Sequence, residues 1–149
     1  MKRRILLLLI CLLCLALPVI AQKNLSGSWE WKSRADKNRM QTYFSINIKP
    51  KGKTISGTLF FTELENGNTE SDGAITPFTG TLNGETLSIE FDPKDLNPGY
   101  TENLRYKKPK NKSPSTAILK LKNGKLEWTQ TKGTLGEGMP KLFTLRRAK

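Results

Sequence analysis

Three stretches of this chain alternate apolar and polar residues on either side of a tight turn, and few folds accept that pattern. In TYFSINIKPKGKTISGTLFF, residues 42–61, Phe44, Ile46 and Ile48 alternate with Ser45, Asn47 and Lys49. A Lys-Gly turn follows, after which Ile55, Gly57, Leu59 and Phe61 alternate with Thr and Ser. FTGTLNGETLSIEF (78–91) turns on Asn83-Gly84, and TAILKLKNGKLEWTQ (116–130) on Asn123-Gly124. Asn-Gly accepts the positive φ that two-residue hairpin turns demand, so it is the strongest short-range hairpin signal. Strands at 28–33 and in KLFTLRR (141–147) bring the count to about eight, and no window carries a helical period. The expected fold is all-β: an antiparallel up-and-down β-barrel of about eight strands. Closure removes exposed sheet edges, and short connections favour a meander over a Greek key.

The chain begins MKRRILLLLICLLCLALPVIAQ. Lys2, Arg3 and Arg4 form a positive leader, residues 5–17 an apolar run, and Val19-Ile20-Ala21 a small-x-small site. This is the layout of a secretory signal peptide cut between Ala21 and Gln22. The apolar run is short of the ~20 residues that span a bilayer, and Pro18 closes it. Bulky Ile10 and Leu13 precede Cys11 and Cys14, which argues against lipoprotein processing. The expected organisation is therefore a signal peptide, 1–21, and one barrel domain, 22–149, with no membrane anchor after cleavage. Both cysteines leave with the signal. A disulfide-free exported domain points to a bacterial periplasm or exterior, and 22–149 is long enough for one self-sufficient core.

Lys and Arg number 25 against 13 acids, a formal charge of +12, and loss of the three leader cations lowers it to +9. The cations are spread over loops and strand faces, which serves solubility. They also favour an anionic partner. The sharpest cluster is RYKKPKNK, where Arg105, Lys107, Lys108, Lys110 and Lys112 crowd beside Tyr106 inside the long proline-bearing loop 92–115. Such a loop can grip phosphates or sulfates with salt-sensitive contacts. It has no aromatic stacking platform, so nucleic acid is not favoured. Another loop, TELENGNTESDG (62–73), carries four acids and is expected to be an exposed tip.

In NLSGSWEWKS, residues 24–33, Trp29 and Trp31 sit two apart and so share one face of a strand, with Glu30 and Lys32 on the other. Inward is the natural side for two indoles. Gly27 lets the chain enter tightly, and Trp29 then plugs the barrel floor. A motif repeats weakly as SGTL (56–59), TGTL (79–82) and KGTL (132–135), which suggests strands that bend at similar heights.

LSGSW (25–29) resembles the Gly-x-Trp at the start of the first strand in the calycin superfamily, which includes lipocalins, fatty-acid-binding proteins and avidins. In those families a basic residue near the last strand packs across that tryptophan, and the resemblance assigns this part to Arg146 or Arg147. The avidin branch is nearest in rhythm: ISGTL is similar to its third-strand motif and LEWTQTKGT to a late tryptophan strand, which implies Trp128 near a ligand. Leu59 and Phe60 stand where avidins carry an aromatic hydroxyl, so biotin is not expected.

The leading functional expectation is a non-enzymatic carrier of a small, largely apolar ligand held inside the barrel. By alternation its lining is Trp31, Phe44, Ile46, Leu59, Phe61, Leu87, Ile89, Phe91, Leu119 and Trp128. These residues serve equally as a filled core, since an eight-stranded barrel can do either. The alternative is an interaction module or inhibitor that meets an anionic surface or protein through 105–112. The mature chain has no His and no Cys, which excludes imidazole bases, thiol nucleophiles and most transition-metal sites. Glu90 and Asp92 share a strand face, but Leu87, Ile89 and Phe91 claim the inward side, so the acids should face water. No metal, no cofactor and no oligomer is expected.

Overall fold

The computed structural model describes residues 25–69, 73–92, 114–135 and 139–149. Nine strands follow in order: β1 (Gly27–Lys32), β2 (Met40–Lys51), β3 (Thr54–Glu65), β4 (Asn68–Thr69), β5 (Ala74–Asn83), β6 (Thr86–Phe91), β7 (Ser115–Lys122), β8 (Lys125–Lys132) and β9 (Leu142–Arg147). They form one sheet in the order β2-β1-β9-β8-β7-β6-β5-β3-β4, and β2 also pairs with β3. Eight strands therefore close on themselves, with the two-residue β4 appended to β3. The up-and-down barrel expected from the hairpin pattern is the fold observed. The expected signal peptide with its Ala21–Gln22 cleavage point and the basic segment Arg105 to Lys112 lie outside the described residues.

The three tight turns gather at one end. Asn123 and Gly124 both take positive φ, 52° and 72°, as a type I′ turn requires. The other two turns sit one residue later than the dipeptides suggest. Lys51 pairs with Thr54 and Asn83 with Thr86, which leaves Gly52-Lys53 and Gly84-Glu85 as the loops. In each, glycine leads with positive φ, 63° and 59°, which fits the type II′ geometry. Among the described residues the opposite end carries the longer connection 33–39 and the turn after Glu65.

Two further corrections concern β3. Its burial alternation changes phase after Leu59: Phe61 is half-buried, while Thr62 and Leu64 are buried. The stretch expected to be an exposed tip from residue 62 is thus strand as far as Glu65, and it turns on Asn66-Gly67, both with positive φ. That Asn-Gly pair is the same hairpin signal read elsewhere in the chain.

All three glycines of the repeated motif mark close approach. A Cβ at Gly57 would collide with the carbonyl oxygen of Asn47 and lie 2.7 Å from the Phe78 ring; one at Gly80 would meet the Ser88 carbonyl. Gly133, the third, lies past the end of β8 and bends the chain there with φ of 71°. A Cβ at Gly133 would meet the Ser115 side chain, so the crowding is common to all three, while only Gly57 and Gly80 lie inside strands.

Candidate functional site

The barrel floor is built as the indole at residue 29 suggests. Trp29 is 1% exposed, and its Nε1 donates to the carbonyl of Leu25 at 3.1 Å. Of the two basic candidates, Arg147 covers it. Its guanidinium carbon lies 4.3 Å from the indole centroid, and its Nη1 donates to the Ser26 carbonyl. Register decides the choice, because Trp29 stands opposite Arg147, while Arg146 stands opposite Glu30 and projects outward. The floor pair is therefore Trp29 with Arg147, and Arg146 is corrected to an outer-surface position.

Above the floor, Phe44, Ile46, Leu59, Leu87, Ile89, Phe91, Leu119 and Trp128 are all buried in one core. Their rings fill the space between them. Phe44 lies 5.4 Å from Trp128 and 5.5 Å from Phe143, Phe91 lies 6.0 Å from Trp128, and Trp128 stacks on Phe143 at 5.6 Å. These eight expected ligand-lining residues are core side chains packed on one another. Core positions absent from that list include Ile48, Ile55, Phe78, Leu126, Phe143 and Leu145. Among the described residues two buried side-chain polar atoms have no hydrogen-bond partner, the indole Nε1 of Trp128 and Oε1 of Gln130. They lie two residues apart on β8, one a donor and the other an acceptor.

Two members of the expected lining, Phe61 and Trp31, are only partly buried against this core, and Trp31 stands at the barrel seam. It is only half-buried and leans on Phe143, with centroids 4.9 Å apart. The reason is a break in closure. β1 pairs with β9 only at Trp29↔Arg147 and Glu30↔Arg146. The same register continued would set Lys32 against Thr144, and that rung is not made. On its other side β1 stays paired with β2 through Lys32↔Tyr43. β9 stays paired with β8 through Leu142. A groove of about 670 Å³ opens along the unpaired stretch, lined by Glu30, Trp31, Lys32, Pro140, Leu142, Phe143, Thr144 and Arg146. Leu142 is 66% exposed beside it.

The groove has a dry base and charged walls. Trp31 and Phe143 form the base. Lys32 stands 5.4 Å from the Tyr43 ring centroid, and the Tyr43 hydroxyl donates to Glu30 Oε2 at 3.1 Å. Burial, and then this bond to Glu30, push the Tyr43 phenol above its ordinary range. A shallower groove of about 390 Å³ continues over β8 and β9, sharing Thr144 and Arg146 and adding Lys122, Lys125 and Glu127. Glu127 is partly neutralised by Lys122 at 3.7 Å. The strip from Lys32 through Arg146 to Lys125 is thus net cationic. Glu90 and Asp92 are both exposed, as strand alternation requires.

Comparison with protein-family models, with curated proteins and with solved structures finds no match to this chain.

Proposed function

We propose that this protein is a non-enzymatic, exported binding barrel of calycin type whose ligand lies in the β1–β9 groove. The observation that supports this is the unmade rung above Glu30↔Arg146, which leaves a groove of about 670 Å³ based on Trp31 and Phe143. That volume falls in the usual range for ligand sites, which are largely apolar with a few placed polar groups. The apolar part of the ligand rests on Trp31, Leu142 and Phe143, and an anionic part meets Lys32 and Arg146. A largely apolar ligand was the leading expectation; its seat moves from the barrel interior to the seam.

A second seat is favoured by one observation. Trp128 Nε1 and Gln130 Oε1 form a buried donor and acceptor that a polar group of an internal guest can satisfy. Titration with a fluorescent fatty acid separates the two. Under the groove reading, stoichiometric binding is lost in Trp31→Ala and weakened in Arg146→Glu, while Trp128→Phe retains it. Loss in Trp128→Phe with Trp31→Ala unaffected moves the seat inside. Absence of saturable binding by the unaltered protein refutes the fatty-acid arm of the proposal.

A further inference from the structure

The backbone around the groove says more about its occupant than the side chains do. In an antiparallel ladder, residues alternate between bonding one neighbour and bonding the other. On β1, Ser33 N donates to the Thr42 carbonyl, so odd-numbered residues face β2. On β9, Gln130 N donates to the Lys141 carbonyl, so odd-numbered residues face β8. Even-numbered residues therefore aim their N–H and C=O groups across the β1–β9 seam. Below the break this is what happens, for Ala148 N donates to the Ser28 carbonyl. Above it, the main-chain groups of Lys32 on one side, and of Leu142 and Thr144 on the other, point into the groove with no cross-strand partner.

We infer that the groove binds an extended peptide segment bearing acidic side chains, added as a strand along the free edge of β9 at Leu142–Thr144. This rests on the groove being the binding seat and names its partner class. Three features select a peptide over a compact lipid-like ligand. The exposed main-chain donors and acceptors recur at strand spacing and match another backbone. The Trp31–Phe143 base offers apolar contacts for the inward-facing set of side chains. The cations Lys32, Arg146 and Lys125 line the path beyond, and this selects acidic residues for the other set. A second copy of this chain fits poorly, because each copy carries +12 over the full sequence.

The test uses a fluorescein-labelled hexapeptide alternating valine and glutamate, with anisotropy as readout on the full mature chain. Saturable binding is expected. N-methylation of alternate peptide amides should weaken it about tenfold or more, as loss of strand hydrogen bonds does. Replacing glutamate by lysine should weaken it comparably. Thr144→Pro removes an edge N–H that β8 does not use, and should also weaken binding. Arg146→Glu leaves the backbone unchanged, serves as the second arm, and should shift preference toward the lysine peptide. Amide exchange at Lys32 and Thr144 should slow when the peptide is bound. Binding indifferent to N-methylation overturns strand addition. Peptide silence with fatty-acid binding lost in Trp31→Ala overturns this inference and leaves the proposed seat standing. Silence with both probes overturns both.

Discussion

Arg147→Ala, set against Arg146→Ala, tests how the barrel is closed. The residues are neighbours on β9 and chemically identical, but only Arg147 lies on the Trp29 indole, at 4.3 Å from its centroid. A guanidinium there contributes about 1 kcal/mol. Its hydrogen bond to the Ser26 carbonyl joins a charged donor to backbone and adds about 1 kcal/mol at this partly solvated rim. The expected loss for Arg147→Ala is about 2 kcal/mol, roughly thirtyfold in the folding equilibrium. Arg146 projects into the open groove, and its removal should stay within about 0.5 kcal/mol. Guanidinium chloride unfolding, followed by tryptophan emission, reads both as shifts in midpoint at unchanged slope. Arg147→Lys keeps the charge but not the planar face, and should recover less than half of the loss. If the two alanine variants unfold at the same midpoint, the capping argument is wrong.

Other expectations follow from the same geometry. Trp29→Ala should cost about 3 to 5 kcal/mol, the range for large aromatic truncations, because the side chain is 1% exposed and carries a hydrogen bond; thermal unfolding reads it. Gly57→Ala should cost about 3 kcal/mol, since the added methyl meets the Asn47 carbonyl and the Phe78 ring, whereas Gly124→Ala meets no neighbour and acts only through its positive φ. The raised Tyr43 pKa means that the folded state prefers the neutral phenol. That contribution is complete below the ordinary tyrosine range near pH 10 and is lost as pH rises through the folded value. Alkaline unfolding curves should therefore flatten in Tyr43→Phe.

The fold was legible because hairpins announce themselves locally. Alternation around Lys-Gly, Asn83-Gly84 and Asn123-Gly124 names three strand pairs without distant information, although register moved two of the loops by one residue. The floor was half legible. Two tryptophans at spacing two must share a face, but whether Arg146 or Arg147 covers Trp29 depends on the β1–β9 register, which no local pattern encodes. The change of phase at Phe61 has no local signature, because it reverses an alternation that runs cleanly up to Leu59, whereas Asn66-Gly67 does carry a turn signal. The groove was not legible at all. It exists because a pairing that begins at Trp29↔Arg147 ends two rungs early, and Leu142, Thr144 and Lys32 read in sequence as ordinary strand residues.

The hydrogen bond between Arg147 and Ser26 joins positions 121 apart in the chain. Loops of that size are slow to bring together, and until they meet the last hairpin has no neighbour on its outer side. A chain shorn of its final few residues can still assemble most of its ladders, yet it remains an open curl with an indole uncovered. The barrel is thus fastened at the margin of the molecule, where its last arginine reaches back to the chain just ahead of the first strand.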